Sequence, residues 1–208
     1  TEDPKTGRPK LVPGNIWVVA SSGLLTSGPE KAKPTNFAEL AAAVKRATGG
    51  AKELLEIDQK REVELLMRGA IPRDQWDHAM IVDVGNGNTK CGYMQSANSP
   101  QVEKANVPAT NLRGTGGYRD EIAKKLKDPS DFKRFCSEAR SMRDQVKKDV
   151  EDQISRFPGL SNRSRKRVYL SGGSPYVIAS LLFPVEMSRD EVLVVPVPID
   201  TLKEFEKQ

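Results

Sequence analysis

Apolar residues recur along the first third of the chain at two spacings, one typical of buried strands and one typical of amphipathic helices. Short apolar runs predict strands at residues 15–20 and 53–57. Helical spacing predicts helices at residues 36–48 and 58–70, with Thr35 or Asn36 capping the first and Asp58 the second. This part of the chain is therefore predicted to run β-α-β-α.

The pattern changes near residues 72–77, where we place a boundary between two lobes. Apolar runs at residues 78–84 and 89–94 flank the sequence Gly-Asn-Gly-Asn, which predicts a β-hairpin because glycine and asparagine accept positive φ. Further strands are predicted around residues 102–107, 167–170 and 192–197. Helices are predicted at residues 118–126, 131–157, 176–182 and 199–207, the second with an apolar stripe from Phe132 to Ile154. The fold class is therefore α/β.

Composition narrows the class of protein. The 208 residues include 33 Lys and Arg against 28 Asp and Glu, a net charge of +5, and 37% are hydrophobic, which is enough for a packed core. Apolar runs are short and the first 14 residues form a polar, extended lead-in, so we expect a cytoplasmic protein with no membrane partner. The densest basic stretch, residues 163–167, has no interleaved aromatics and is predicted to be a solvated loop. Sequence-specific nucleic-acid binding is not expected, whereas phosphorylated ligands would meet a mildly attractive surface.

The few histidines and cysteines exclude several kinds of site. One histidine, His78, and two unpaired cysteines, Cys91 and Cys136, cannot form a zinc site of several imidazoles or thiolates, or a disulfide scaffold. Any chemistry must therefore use carboxylates, hydroxyls, backbone amides and cations.

The predicted hairpin turn contains residues suited to binding an anion. Asp83 at a strand end could bind a metal or orient a water, while Gly85 and Gly87 let backbone amides approach an anion and Thr89 adds a hydroxyl. The alternative is a plain hairpin in which asparagine and glycine serve only the turn.

A second small-residue turn, Ser-Gly-Gly-Ser-Pro at residues 171–175, joins a predicted strand to a predicted helix. Free amides and the helix dipole make such a turn an anion site. The alternative is simply a tight strand-to-helix connection.

Taken in order, these segments resemble a known family. The hairpin Asp-x-Gly-x-Gly-x-Thr, followed about ninety residues later by strand-Gly-Gly-Ser-helix, resembles the actin-like ATPase/sugar kinase/Hsp70 superfamily. Three segments narrow the resemblance to the exopolyphosphatase/guanosine pentaphosphate phosphatase family. Residues 20–24 resemble its Ala-Thr-Ser-Ala-Leu, residues 57–69 its Ile-Ser-Gly-x-Glu-Glu-Ala-x-Leu, and residues 81–89 its Asp-Ile-Gly-Gly-Gly-Ser-Thr. The resemblance covers nearly all of the chain from about residue 15.

The resemblance implies a ribonuclease H-like, actin-type lobe at residues 78–208, with a mixed sheet flanked by helices, and part of a first lobe at residues 15–77. It implies that Glu62 activates water to attack the terminal phosphoanhydride of polyphosphate or a guanosine polyphosphate, with Mg²⁺ neutralising charge. It assigns Asp83 to the metal. The phosphate-binding residues that it implies are Gly85, Asn86, Gly87, Asn88, Thr89, Lys90, Arg113, Gly172, Gly173 and Ser174.

The chain departs from the family pattern at several positions. Lys90 stands where the family has a metal-placing glutamate; a cation there would repel Mg²⁺ or contact phosphate directly. Arg61 replaces the first glutamate of the family's pair, and Leu25 replaces a phosphate-binding arginine. The family's opening Asp-x-Gly-Ser-Asn hairpin does not precede residue 15, so we expect a missing N-terminal segment, a companion chain or a degenerate lobe, and favour the first.

Two functions stay open from the sequence. The first is a phosphohydrolase acting on polyphosphate or a nucleotide polyphosphate, with activity weakened or lost. The alternative is a catalytically degenerate phosphate- or nucleotide-binding or assembly module of the same superfamily. An ATP-dependent kinase fits the glycine pair at residues 172–173 but not residues 57–69, and a homodimer is compatible with the sequence.

Overall fold

The computed structural model describes residues 16–21, 33–94, 105–106, 112–126, 128, 130–156, 165–184 and 194–207. The chain divides into two compact units, Thr1–Asp58 and Gln59–Gln208. The division by sequence at residues 77 and 78 had grouped residues 59–70 with the first lobe. In the structure, this segment belongs to the second unit.

The first unit contains a two-stranded parallel sheet and one helix. β1 (Val18–Ala20) pairs with β2 (Leu54–Glu56), and α1 spans Lys33–Ala47. Because α1 begins at Lys33, the prediction that Thr35 or Asn36 caps it was wrong. The helix is followed by glycines at positive φ, Gly49 and Gly50, and the amide of Gly50 donates to the carbonyl of Lys45, as in a common C-terminal helix motif.

The second unit contains strands and helices in mixed order. Its elements are α2 (Gln59–Ala70), a 3₁₀ turn (Arg73–His78), β3 (Ala79–Val84), β4 (Asn88–Met94), β5 (Ala105–Asn106), β6 (Leu112–Arg113), α3 (Thr115–Lys125), α4 (Phe132–Ser155), β7 (Arg167–Ser171), α5 (Gly173–Leu182) and α6 (Ile199–Lys207). No helix in the described part of the chain combines the length and apolar character that a bilayer crossing requires.

The strands of the second unit form one mixed sheet. The order is β5-β4-β3-β7, with β6 also paired to β4; β3 runs antiparallel to β4 and parallel to β7. The α/β class and the mixed sheet flanked by helices are therefore confirmed. The hairpin was also predicted correctly, to within one residue at each strand.

Alternation of side chains along β3 and β4 gives the sheet two buried faces. On one face, Val63 and Met67 of α2 pack with Ile81 and Met94. On the other face, Met80 and Cys91 pack together, with Ile154 of α4 against them. Thus α2 packs on one face, while on the other face Ile154 of α4 covers the β3–β4 part and Val168 and Leu170 of β7 are 54% and 50% exposed.

Several predicted elements differ from the structure. α3 begins three residues early, at Thr115, and α5 begins at Gly173, so Gly173 and Ser174 lie in its first turn. Residues 194–197 form no strand in the described part, and residues 192–193 lie outside it, as do most of residues 102–107. Phe132 is 77% exposed rather than part of the buried stripe, because it is the first residue of α4 and lies beyond the contact with α3 through Phe135 and Met142.

The expectation of a solvated loop at residues 163–167 fails at Arg165. Its guanidinium donates to the carbonyls of Ala79 at 2.9 Å and Met94 at 3.2 Å, and lies 4.1 Å from the centre of the Tyr93 ring. The Nη1 atom that donates to Ala79 also reaches the carbonyl of Trp76 at 3.5 Å. Arg165 therefore joins the start of β3 to the end of β4.

Candidate functional site

The two glycine turns that the sequence singled out lie side by side. β3 and β7 are parallel, with Asp83 opposite Ser171, so both strands end at the same edge of the sheet. The turn after β7 touches the end of β3: Gly172 has φ +103, and a Cβ added there would collide with the carbonyl of Val84. Only glycine allows this approach, because φ in this range is strained for other residues.

The hairpin turn is formed differently from the prediction. Among the described residues, positive φ occurs only at three glycines, none of them in the turn, so the positive φ on which the hairpin prediction was based does not occur there. Within the turn, the amide of Gly85 donates to the carbonyl of Asn88 at 3.1 Å.

The N-terminus of α3 is hydrogen-bonded to the hairpin turn. The amides of Gly114, Thr115 and Gly116 donate to the carbonyls of residues 87, 85 and 86, at 3.3, 3.0 and 3.0 Å. Added Cβ atoms at Gly114 and Gly116 would collide with Asn86. Sequence reasoning missed this role; the available signal was the Gly-Thr-Gly-Gly stretch at residues 114–117.

Four backbone amides remain at this edge of the sheet. Asn86 and Gly87 lie in the hairpin turn, and Gly173 and Ser174 begin α5. None of these four amides donates a hydrogen bond to an acceptor in the described part of the chain. The first amides of a helix have no partner within the helix, and the N-cap Gly172 has no side chain to accept from them. Within the described part of the chain, both turns therefore have amides from which a ligand could accept hydrogen bonds.

A buried cluster of charges lies next to these turns. Lys90 of β4 is opposite Asp83 of β3 in the antiparallel pair. The Lys90 Nζ atom lies 2.9 Å from Asp83 Oδ2 and 2.6 Å from Glu62 Oε1 of α2. The side chains of Lys90, Glu62 and Asp83 are only 4%, 15% and 11% exposed. Glu62, the predicted general base, and Asp83, the predicted metal ligand, therefore both contact the Lys90 ammonium.

The cluster keeps Lys90 protonated. Burial lowers the pKa of Lys90, but hydrogen bonds and charges from Glu62 and Asp83 outweigh this, so its pKa is raised above the ordinary value. With both carboxylates ionised, the cluster carries one net negative charge.

These residues do not fit Mg²⁺. The ion prefers about six oxygen ligands at about 2.0–2.1 Å in octahedral geometry. Here the facing oxygens of Glu62 and Asp83 are held by the Lys90 ammonium. Across the described residues, no group of three His, Cys, Asp or Glu side chains could hold a metal.

Two further predicted phosphate ligands make contacts within the protein. Thr89 Oγ1 donates to the carbonyl of Arg113 at 3.2 Å. Arg113, which pairs across the strands with Asn88, forms a salt bridge with Glu121 and has a 63% exposed side chain. Arg113 therefore lies one strand from the hairpin turn, with its guanidinium at the surface.

Comparison with known proteins leaves the family open. No family model, curated protein or solved structure matches this chain. Its function therefore has to be inferred from its own residues.

Proposed function

We propose that the second unit is a phosphate-binding module of the actin-like type, which binds polyphosphate or a nucleotide polyphosphate without hydrolysing it. The observation that carries this proposal is the 2.6 Å contact between Glu62 Oε1 and Lys90 Nζ. A general base must accept a proton from water. A carboxylate already paired with a buried ammonium is a weak acceptor, since the neighbouring charge stabilises its ionised form.

Anion binding is supported by the edge where β3 and β7 end. The amides of Asn86 and Gly87 in one turn, and of Gly173 and Ser174 in the other, can donate to phosphate oxygens. The positive end of the α5 dipole adds to this attraction. The α/β fold with its mixed sheet is compatible with an actin-like lobe.

Hydrolysis is the second candidate, and one observation favours it. Glu62 and Asp83, assigned separately to water activation and metal binding, do come together in the folded chain. To act as a base, Glu62 would have to accept a proton while paired with the Lys90 ammonium through Oε1, or after that ammonium moves away.

Binding and turnover can be measured separately on the full chain. We expect tripolyphosphate to bind by isothermal titration calorimetry, with no phosphate released from long-chain polyphosphate or guanosine pentaphosphate, with or without Mg²⁺. Release that is abolished by Glu62→Gln but not by Glu64→Gln would instead support hydrolysis. Glu64 is a matched control because it lies on the same helix, paired with Arg61 and Arg68.

The role of the α5 amides has its own matched pair of variants. Gly173→Pro removes one amide at a position where helices accept proline, whereas Gly173→Ala keeps the amide and adds a Cβ with nothing within 4 Å. A lost hydrogen bond to a charged group should weaken binding by about tenfold or more in Gly173→Pro. Equal affinity of the two variants would show that this amide does not bind the ligand.

A further inference from the structure

We propose that Lys90 is a built-in replacement for a divalent cation, so that this site binds the free polyanion and not its Mg²⁺ complex. The inference rests on the proposed function and concerns the same site. The sequence resemblance implies a magnesium ion, but the residues present at this site do not fit one.

The geometry places the Lys90 ammonium between carboxylates of two different elements. Its Nζ atom bridges Glu62 of α2 and Asp83 of β3 at hydrogen-bond distance, and its side chain is 4% exposed. An ion seated on these same oxygens would lie beside a fixed positive charge in a poorly hydrated place. Repulsion there is strong because the surroundings screen it weakly.

The cluster is close enough to act on the anion site. Asp83 is one residue before Val84, whose carbonyl contacts the Gly172 turn, and it is opposite Ser171 across the strands. The two carboxylates at this place would repel a polyanion. Lys90 permanently neutralises one of these two negative charges. In a metal-dependent site, a metal ion that binds together with the phosphates supplies this positive charge.

The source of the positive charge determines the response to magnesium. If the protein carries the cation, Mg²⁺ in solution can only compete by binding the free ligand, and the apparent affinity stays level or falls. If the ligand must bring the cation, the affinity rises with Mg²⁺.

The test is calorimetric titration of the unaltered full chain with inorganic tripolyphosphate, once with EDTA and once with millimolar Mg²⁺. We expect binding in EDTA, with an equal or several-fold weaker affinity in Mg²⁺. Binding that requires Mg²⁺ would overturn this inference and leave the proposed function standing. Absence of binding in both buffers would refute the proposed function itself.

A variant tests the assignment to Lys90. Lys90→Met should weaken binding in EDTA by about tenfold, and Mg²⁺ should restore part of it. Lys60→Met, at an exposed position of the same helix as Glu62, removes an equal charge and should change binding less than about twofold. Wild-type affinity of a folded Lys90→Met in EDTA would overturn the assignment. If circular dichroism shows that Lys90→Met is unfolded, the titrations of the unaltered chain in EDTA and in Mg²⁺ test the inference instead.

Discussion

Replacing Lys90 with methionine should destabilise the second unit by more than the loss of an ordinary lysine. The change keeps most of the side-chain volume but leaves Glu62 and Asp83, at 15% and 11% exposure, without their shared cation. Removing one partner of a buried ion pair typically costs about 3–5 kcal/mol. Methionine fills the space and both carboxylates retain some water, so we expect a loss of about 3 kcal/mol at neutral pH.

Urea unfolding followed by tryptophan fluorescence measures this loss. Trp76 packs against the core beside α2 and donates to the carbonyl of Ile71 at 2.9 Å, so it reports on the second unit. Trp17, the other tryptophan, is 72% exposed in the first unit, and Trp17→Phe removes its signal. The control Lys203→Met removes an exposed salt bridge to Asp200 and should cost less than about 0.5 kcal/mol.

The pH dependence distinguishes lost charge compensation from lost packing. In the unaltered chain the folded-state pKa of Lys90 is raised, so its contribution is complete below its ordinary value of 10.5 and is lost only as pH rises through the raised value. The deficit of Lys90→Met should therefore stay constant across neutral pH and shrink only as pH rises through that raised value. Adding Glu62→Gln and Asp83→Asn should recover most of it. A deficit below about 1 kcal/mol, or no recovery, would refute the reasoning.

Three further predictions concern single residues. Arg165→Lys keeps the charge, but one lysine cannot donate to three carbonyls and stack on a ring. The free energy of unfolding should therefore fall by about 1–3 kcal/mol and the urea midpoint should drop; an unchanged midpoint would contradict the role given to the Arg165 contacts. Gly172→Ala should lower the thermal midpoint by several degrees because of its φ of +103 and its backbone collision, while Gly173→Ala should not; equal midpoints would argue against the close approach. Burial raises the pKa of Cys91 to about 11, so at pH 8 Ellman's reagent should modify only Cys136 until urea exposes the second thiol.

Local pattern was sufficient to predict the hairpin, although the pairing of Asp83 with Lys90 that follows from it was not predicted. Strands flanking a short turn imply a register, and that register places Asp83 opposite Lys90. The position of Glu62 beside Lys90 could not be predicted from the register of this hairpin. It depends on α2 packing against the sheet through Val63 and Met67, which is a tertiary contact.

The sequence predictions were wrong where tertiary contacts or proline outweighed the local pattern. The start of α3 was hidden by two consecutive glycines, which disfavour helix, although its amides gain partners in the hairpin turn. The apolar run near residue 195 suggested a strand, but Pro196 has no amide to donate to a ladder. The polar neighbours of Arg165 suggested solvent, although carbonyls and an aromatic ring hold its guanidinium.

The contact between α3 and the hairpin turn has a consequence for the thermodynamics of binding. The carbonyls of residues 85–87 are held by α3, so this loop is ordered before any ligand arrives. Ligands that must order a loop lose part of their interaction energy to its conformational entropy. A ligand of this chain would avoid that loss at the hairpin turn, and any gain in protection from hydrogen exchange within the loop should be confined to the Asn86 and Gly87 amides that bind it.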